Sequence, residues 1–171
     1  MRKKTNETIF LALLSAIVFI GTYINIKIPI GGGTSMIHLG TTAIFISAIL
    51  VGKDAFFPAA IGCALFDIVT FPMWAIPTFI VKGLTGYVAG KIAFSHGKNG
   101  NSVKYNILGF ILGSIVSLIG YFLFNWLLFI GWDAAILSLS TSIITSLIGI
   151  IIAIPISMGV NVSLKKYKKA N

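Results

Sequence analysis

The residue that most needs explaining is Lys82, in the middle of the apolar stretch PTFIVKGLTGYVAG, Pro77 to Gly90. An unpartnered lysine near the middle of a bilayer costs on the order of 3 kcal/mol even on the mildest insertion scale, so it needs an anionic or dipolar neighbour. Asp67 is the intramembrane carboxylate available to it. Two chemistries fit. A Lys82–Asp67 ion pair would be purely structural, whereas an ammonium facing a cavity would hold an acceptor or anionic group of a ligand. Read as a helix, the stretch places Thr78, Lys82, Gly86, Ala89 and Ala93 on one small or polar stripe, and Ile76, Ile80, Leu84 and Val88 on an aliphatic one. Gly86 and Gly90 form a small-xxx-small pattern, which turns the lysine's face toward other helices and away from lipid. At about 1.5 Å per residue, Lys82 lies roughly 12 Å below Trp74, nearly half of a core about 30 Å thick.

Two further stretches carry polar residues at helical spacing. Gly109, Gly113, Ser117, Tyr121 and Asn125 recur every four residues, and SLSTSIITS places Ser138, Ser142, Thr145 and Gly149 along one stripe. Membrane serines and threonines often bond only to their own backbone carbonyls, which is the plain reading for some of these. The placement of Asp67, Lys82, Tyr121, Asn125, Ser142 and Thr145 at similar depth predicts a polar pocket open to the outside. Trp74, Trp126 and Trp132 fit an interfacial aromatic belt, with Trp126 as the candidate to stack on a flat heterocycle. His38 is either a ligand contact or a solvated loop residue. Lys82, Tyr121, Asn125 and Trp126 are the first candidates for substrate contact. Catalysis has nothing to work with: there is no G-x-x-x-x-G-K-[ST], no H-E-x-x-H, no G-x-S-x-G and no pair of intramembrane aspartates, and no metal or resident cofactor is expected. A channel fits poorly, because the polar stripes stop halfway along their helices.

The elements that must position these side chains are membrane helices. Hydrophobic residues make up 57% of the 171 positions and charged ones 10%, with a mean hydropathy of +0.99. Soluble domains carry about 25% charged residues, so the composition predicts an all-α integral membrane protein forming one membrane domain over residues 1–171. Six apolar segments are expected, at about 6–26, 36–51, 55–71, 74–94, 105–132 and 134–164, the second and third forming a tight hairpin joined by GKD. Arg2, Lys3, Lys4, Lys53, Lys91, Lys98, Lys104, Lys165, Lys166, Lys168 and Lys169 all fall on one side of this six-helix bundle, while Lys27 and Asp133 fall on the other. Positive residues gather in cytoplasmic loops, so both termini are expected inside and the loop KIPIGGGTSMIHLG outside. The +9 net charge therefore points to lipid headgroups and orientation, and nucleic acid is excluded as a partner. Gly31, Gly32 and Gly33 in the outer loop suit a segment that folds over something, or equally a passive connector. The basic, apolar N-terminus imitates a signal peptide but runs on past any cleavage site and is read as a retained first span. Cys63, in an apolar run, is expected to be a small buried hydrophobe.

A chain of this length, with an outer pocket, no motor and basic inner ends, resembles the substrate-binding S component of energy-coupling factor (ECF) vitamin transporters. ALLSA in the first segment carries the resemblance most specifically: Ala12 and Ala16 match the A-x-x-x-A pattern by which such proteins dock on the shared T component. KGLTGYVAG and the glycine-bearing first loop add to it. The resemblance implies a six-helix bundle in a bacterial plasma membrane, which captures a micronutrient outside under a lid formed by the first loop. It also implies toppling in the membrane, driven by a T component and two ATPase subunits that use the ATP. Among substrates, pyridoxine-type vitamers and hydroxymethylpyrimidine, a thiamine precursor, come first and riboflavin next, although Lys82 also suits a carboxylate such as nicotinate or pantothenate. A stand-alone proton-coupled carrier using Asp67 and a structural subunit that binds nothing are the alternatives.

Overall fold

A computed structural model describes the backbone of residues 2–30 and 33–170 and the side chains of 4–29 and 36–160. The described residues form six α-helices: α1 (Arg2–Tyr23), α2 (Gly40–Val51), α3 (Phe56–Thr70), α4 (Ala75–Ala93), α5 (Val103–Phe124) and α6 (Gly131–Ala170). Four helical runs, 4–23, 40–70, 103–129 and 131–160, are long and apolar enough to cross a bilayer. The expected helical class is met, with one addition. Where a loop was expected after α1, β1 (Asn25–Ile30) and β2 (Gly33–His38) pair antiparallel, with Lys27 opposite Met36 and Asn25 opposite His38. The β-branched run NIKIPI suits a strand better than a helix, and α1 stops at Tyr23, three residues earlier than expected. Gly31 and Gly32, invoked for loop flexibility, lie outside the described residues.

The second and third segments reverse at GKD as expected of a tight hairpin, but the two helices pack little on each other. A short 3-10 turn, Gly52–Ala55, joins α2 to α3, and Gly52 takes a left-handed φ of 61° there. The two helices pack mainly on other elements, α2 against α1, α4 and α6, and α3 against α1 and α4. The glycines of α4 explain this, because α4 seats directly on the turn. A Cβ on Gly90 would strike the Gly52 carbonyl, and one on Gly86 would meet the Ala55 carbonyl at 2.5 Å. On its other side α4 packs against α5, where a Cβ on Gly109 would lie 2.6 Å from the Ala89 carbonyl. Close backbone approach through small residues is how membrane helices associate when hydrophobicity supplies no drive between them. A core of large side chains fills the level beyond the seam, with the Phe45 and Phe110 rings stacked at 4.7 Å, both fully buried.

One more boundary is corrected. The fifth segment was expected to run to Trp132, but a π-turn, Asn125–Phe129, ends it, and Gly131 with φ 76° opens α6, which therefore owns Trp132.

Candidate functional site

The end of the bundle formed by the hairpin, the C-terminal ends of α1, α3 and α5 and the N-terminal ends of α4 and α6 encloses a cavity of about 370 Å³. That volume lies within the range of small-molecule sites, roughly 300 to 1,000 Å³. Lys82 reaches it from α4, and its ammonium donates to Thr41 Oγ1 at 3.4 Å and Ser117 Oγ at 3.2 Å, 5.2 Å from the centre of the Tyr121 ring. The side chain is 4% exposed. Two hydroxyls and a ring face therefore answer the need for a dipolar partner. The Lys82–Asp67 ion pair expected as one reading is not formed, although Asp67 lines the same cavity: the ammonium bonds to Thr41 and Ser117 instead. A cation held by neutral dipoles keeps its charge available to whatever enters the cavity.

Tyr121 donates to Thr78 Oγ1 at 3.1 Å, which links α5 to α4 beside Asp67. Asn125, set by the π-turn, donates through Nδ2 to Ser138 Oγ at 3.0 Å, and Ser138 donates to the Ala135 carbonyl at 2.7 Å. Thr145 donates to the Met36 carbonyl at 3.1 Å, which fastens β2 to α6 over the cavity, as well as to the Thr141 carbonyl at 2.8 Å. His38 closes the hairpin side, and its Nδ1 accepts from the Gly40 amide at 3.1 Å. Burial first, and the Lys82 charge second, push the His38 pKa down to about 3, so the ring is neutral and carries its proton on Nε2.

The structure thus places Lys82, Tyr121, Asn125, Asp67, Ser142, Thr145 and His38 around one cavity. It places Trp126 elsewhere. That ring is 40% exposed and packs on Trp132 at 4.9 Å and Phe122 at 6.0 Å, on the outer surface of the bundle. Helical rotation explains the correction, because with Asn125 turned inward the next residue along is carried about 100° away. The aromatic face of the cavity comes instead from Trp74, 5.8 Å from the Tyr121 ring and 4.3 Å from that of Phe129. Thr22 and Cys63, their side-chain atoms 3.6 Å apart, also line the wall. Cys63 stands one helical turn before Asp67, and that spacing alone could have flagged it. Thr22 lacked any such signal, since its place depends on how α1 crosses α3.

Comparison with known proteins adds the family. The sequence model described as "ECF-type riboflavin transporter, S component" matches residues 2–162. A protein of Pyrococcus woesei, described as an uncharacterized protein in gap 3'region, is 32% identical over 74% of this chain and 83% of its own length. The thiamine precursor transporter HmpT of Lactococcus lactis is 27% identical over 88% of this chain and 85% of its own.

Proposed function

The chain belongs to the family of ECF-type riboflavin transporter S components, and from that premise we propose that it binds a small vitamin or vitamin precursor outside the cell for ATP-driven import. The observation that carries this reading is the cavity of about 370 Å³ with a buried, hydroxyl-held lysine in its wall. The favoured substrates are hydroxymethylpyrimidine and pyridoxine-type rings, with riboflavin next, and the similarity to HmpT supports the first of these. The chain itself carries no cofactor, and ATP is used by partner subunits. The test is native mass spectrometry of the detergent-purified protein for a co-purified heterocycle, followed by thermal-shift titration with B vitamins and their precursors. Stabilisation by none of them would sink the reading.

We place the cavity at the outer face and both termini inside, with six crossings of the plasma membrane. Support comes from the lysines: Lys53, Lys91, Lys98 and Lys104 sit at the bundle end opposite the cavity, whereas Lys27 is on the hairpin. The hairpin serves as the lid. Thr145→Val removes its side-chain tether to α6, so the dissociation rate of a bound vitamin is expected to rise by about fivefold to tenfold, in line with loss of one hydrogen bond. Stopped-flow measurement with protein tryptophan fluorescence would read it, and an unchanged rate would show that the tether does not hold the lid.

Docking on a T component, with two ATPase subunits behind it, is assigned to α1. Ala12 and Ala16 are exposed there, among the exposed Ile9, Leu13, Ile17 and Ile20. Ala12→Trp or Ala16→Trp is expected to leave vitamin affinity within about twofold while cutting uptake in cells at least tenfold, because the added ring holds two helices apart. Loss of binding in the purified variants would contradict the docking role.

A further inference from the structure

We propose that Asp67 makes the cavity selective for a neutral, amino-substituted nitrogen heterocycle, whose amino edge it accepts while Lys82 donates to an acceptor elsewhere on the ligand. This rests on the vitamin-binding reading above and chooses among the ligand classes that reading leaves open. It follows from where the hydroxyl protons go. The Tyr121 proton is committed to Thr78, and both residues line the cavity with the Asp67 carboxylate. A hydroxyl has one proton, so Tyr121, like the Asp67 carboxylate, turns only lone pairs toward the cavity. Next to it, the Asn125 amide donates to Ser138, and the Ser138 proton goes to the backbone carbonyl of Ala135. From Asp67 to Tyr121 the surface therefore offers acceptors to a ligand. Lys82 carries the cavity's strongest donor, supported by Thr41 and Ser117.

A ligand that leaves buried acceptors unanswered pays their desolvation in full. The fitting molecule brings two or more N–H donors to the Asp67 side and an acceptor to Lys82. An aminopyrimidine has this pattern, since its exocyclic amine supplies two donors and its ring nitrogens supply acceptors. Charge points the same way. Lys82 and Asp67 balance each other within the cavity, so a neutral ligand keeps it neutral, whereas a carboxylate such as nicotinate would set a second anion near Asp67. Lys82 alone suits such carboxylates, and the charge of Asp67 in the same cavity opposes them.

The experiment is isothermal titration of the detergent-purified full chain with hydroxymethylpyrimidine, its deaminated oxo analogue, pyridoxine, riboflavin and nicotinate. The amino compound is expected to bind at least tenfold more tightly than the oxo analogue and than the other three. Asp67→Asn, which keeps one acceptor oxygen but replaces the other by a donor, is expected to shrink the gap between the amino and oxo compounds to within about threefold. Equal affinity for the amino and oxo compounds would overturn the inference, as would tighter binding of pyridoxine, riboflavin or nicotinate, and each of those results leaves the vitamin-binding reading standing. If none of the five binds, the inference falls, and the wider thermal-shift series of B vitamins and precursors decides the vitamin-binding reading separately. The wild-type comparison decides even if the variant does not fold.

Discussion

Replacing Lys82 by Met is expected to weaken vitamin binding by about a hundredfold while leaving the empty protein as stable as before, or more so. The first half follows from the hydrogen bond a buried ammonium can give a ligand, since bonds to charged groups are worth about 1.5 to 3 kcal/mol, or roughly tenfold to 150-fold in affinity. The second half follows from the absent ion pair. Had Lys82 been bonded to Asp67, its removal would orphan a buried carboxylate and cost about 3 to 5 kcal/mol. Here Met leaves behind two hydroxyls, Thr41 and Ser117, that can turn to other acceptors. It also removes a buried cation whose hydrogen bonds go to neutral hydroxyls and which has no carboxylate in contact. Titration calorimetry for affinity and thermal unfolding of the ligand-free protein separate the two halves. Unaltered affinity with a lowered melting temperature would return Lys82 to a structural role.

The sequence showed the cavity's members because helical spacing is local information. Lys82, Tyr121, Asn125, Ser142 and Thr145 sit on stripes whose period can be counted, and a polar stripe in an apolar helix must face something other than lipid. What could not be counted was partnership. Whether Lys82 meets Asp67 or Thr41 depends on how α2, α3 and α4 are rotated about their own axes, and that is fixed by glycine contacts between helices. Trp126 was misplaced for a related reason. Belt residue and stacking residue have the same composition, and only the inward turn of Asn125 decides between them. The hairpin stayed hidden because GGG reads as a loop whether or not the flanking NIKIPI and TSMIH pair. The span between α2 and α3 illustrates the same limit, since GKD looks like any hairpin link until α4 is seen to seat on it.

That seat is the most sensitive point of the scaffold. Gly90→Ala is expected to lower stability by about 3 kcal/mol, near the upper end of what overpacking costs, because the new methyl runs into the Gly52 carbonyl and the Lys53 amide. Neither obstacle can swing aside as a side chain would. Gly52 holds a φ of 61° and faces the Phe94 ring, whose nearest atom would lie 3.0 Å from a Cβ there, so the turn is blocked on its other side as well. Helix propensity opposes this loss by only about 1 kcal/mol. The remaining way out is for α4 to slide or tilt, and α4 carries Thr78 and Lys82 into the cavity. Vitamin affinity is therefore expected to fall together with the melting temperature, although residue 90 lies about 12 Å along the helix from Lys82. Gly159→Ala supplies the comparison: a Cβ there meets nothing within 4 Å, so the same change should be neutral or stabilising by up to about 1 kcal/mol. Thermal unfolding of the two variants side by side checks the argument, and a Gly90→Ala protein as stable as the Gly159→Ala one would mean that α4 and the Gly52 turn are not in backbone contact.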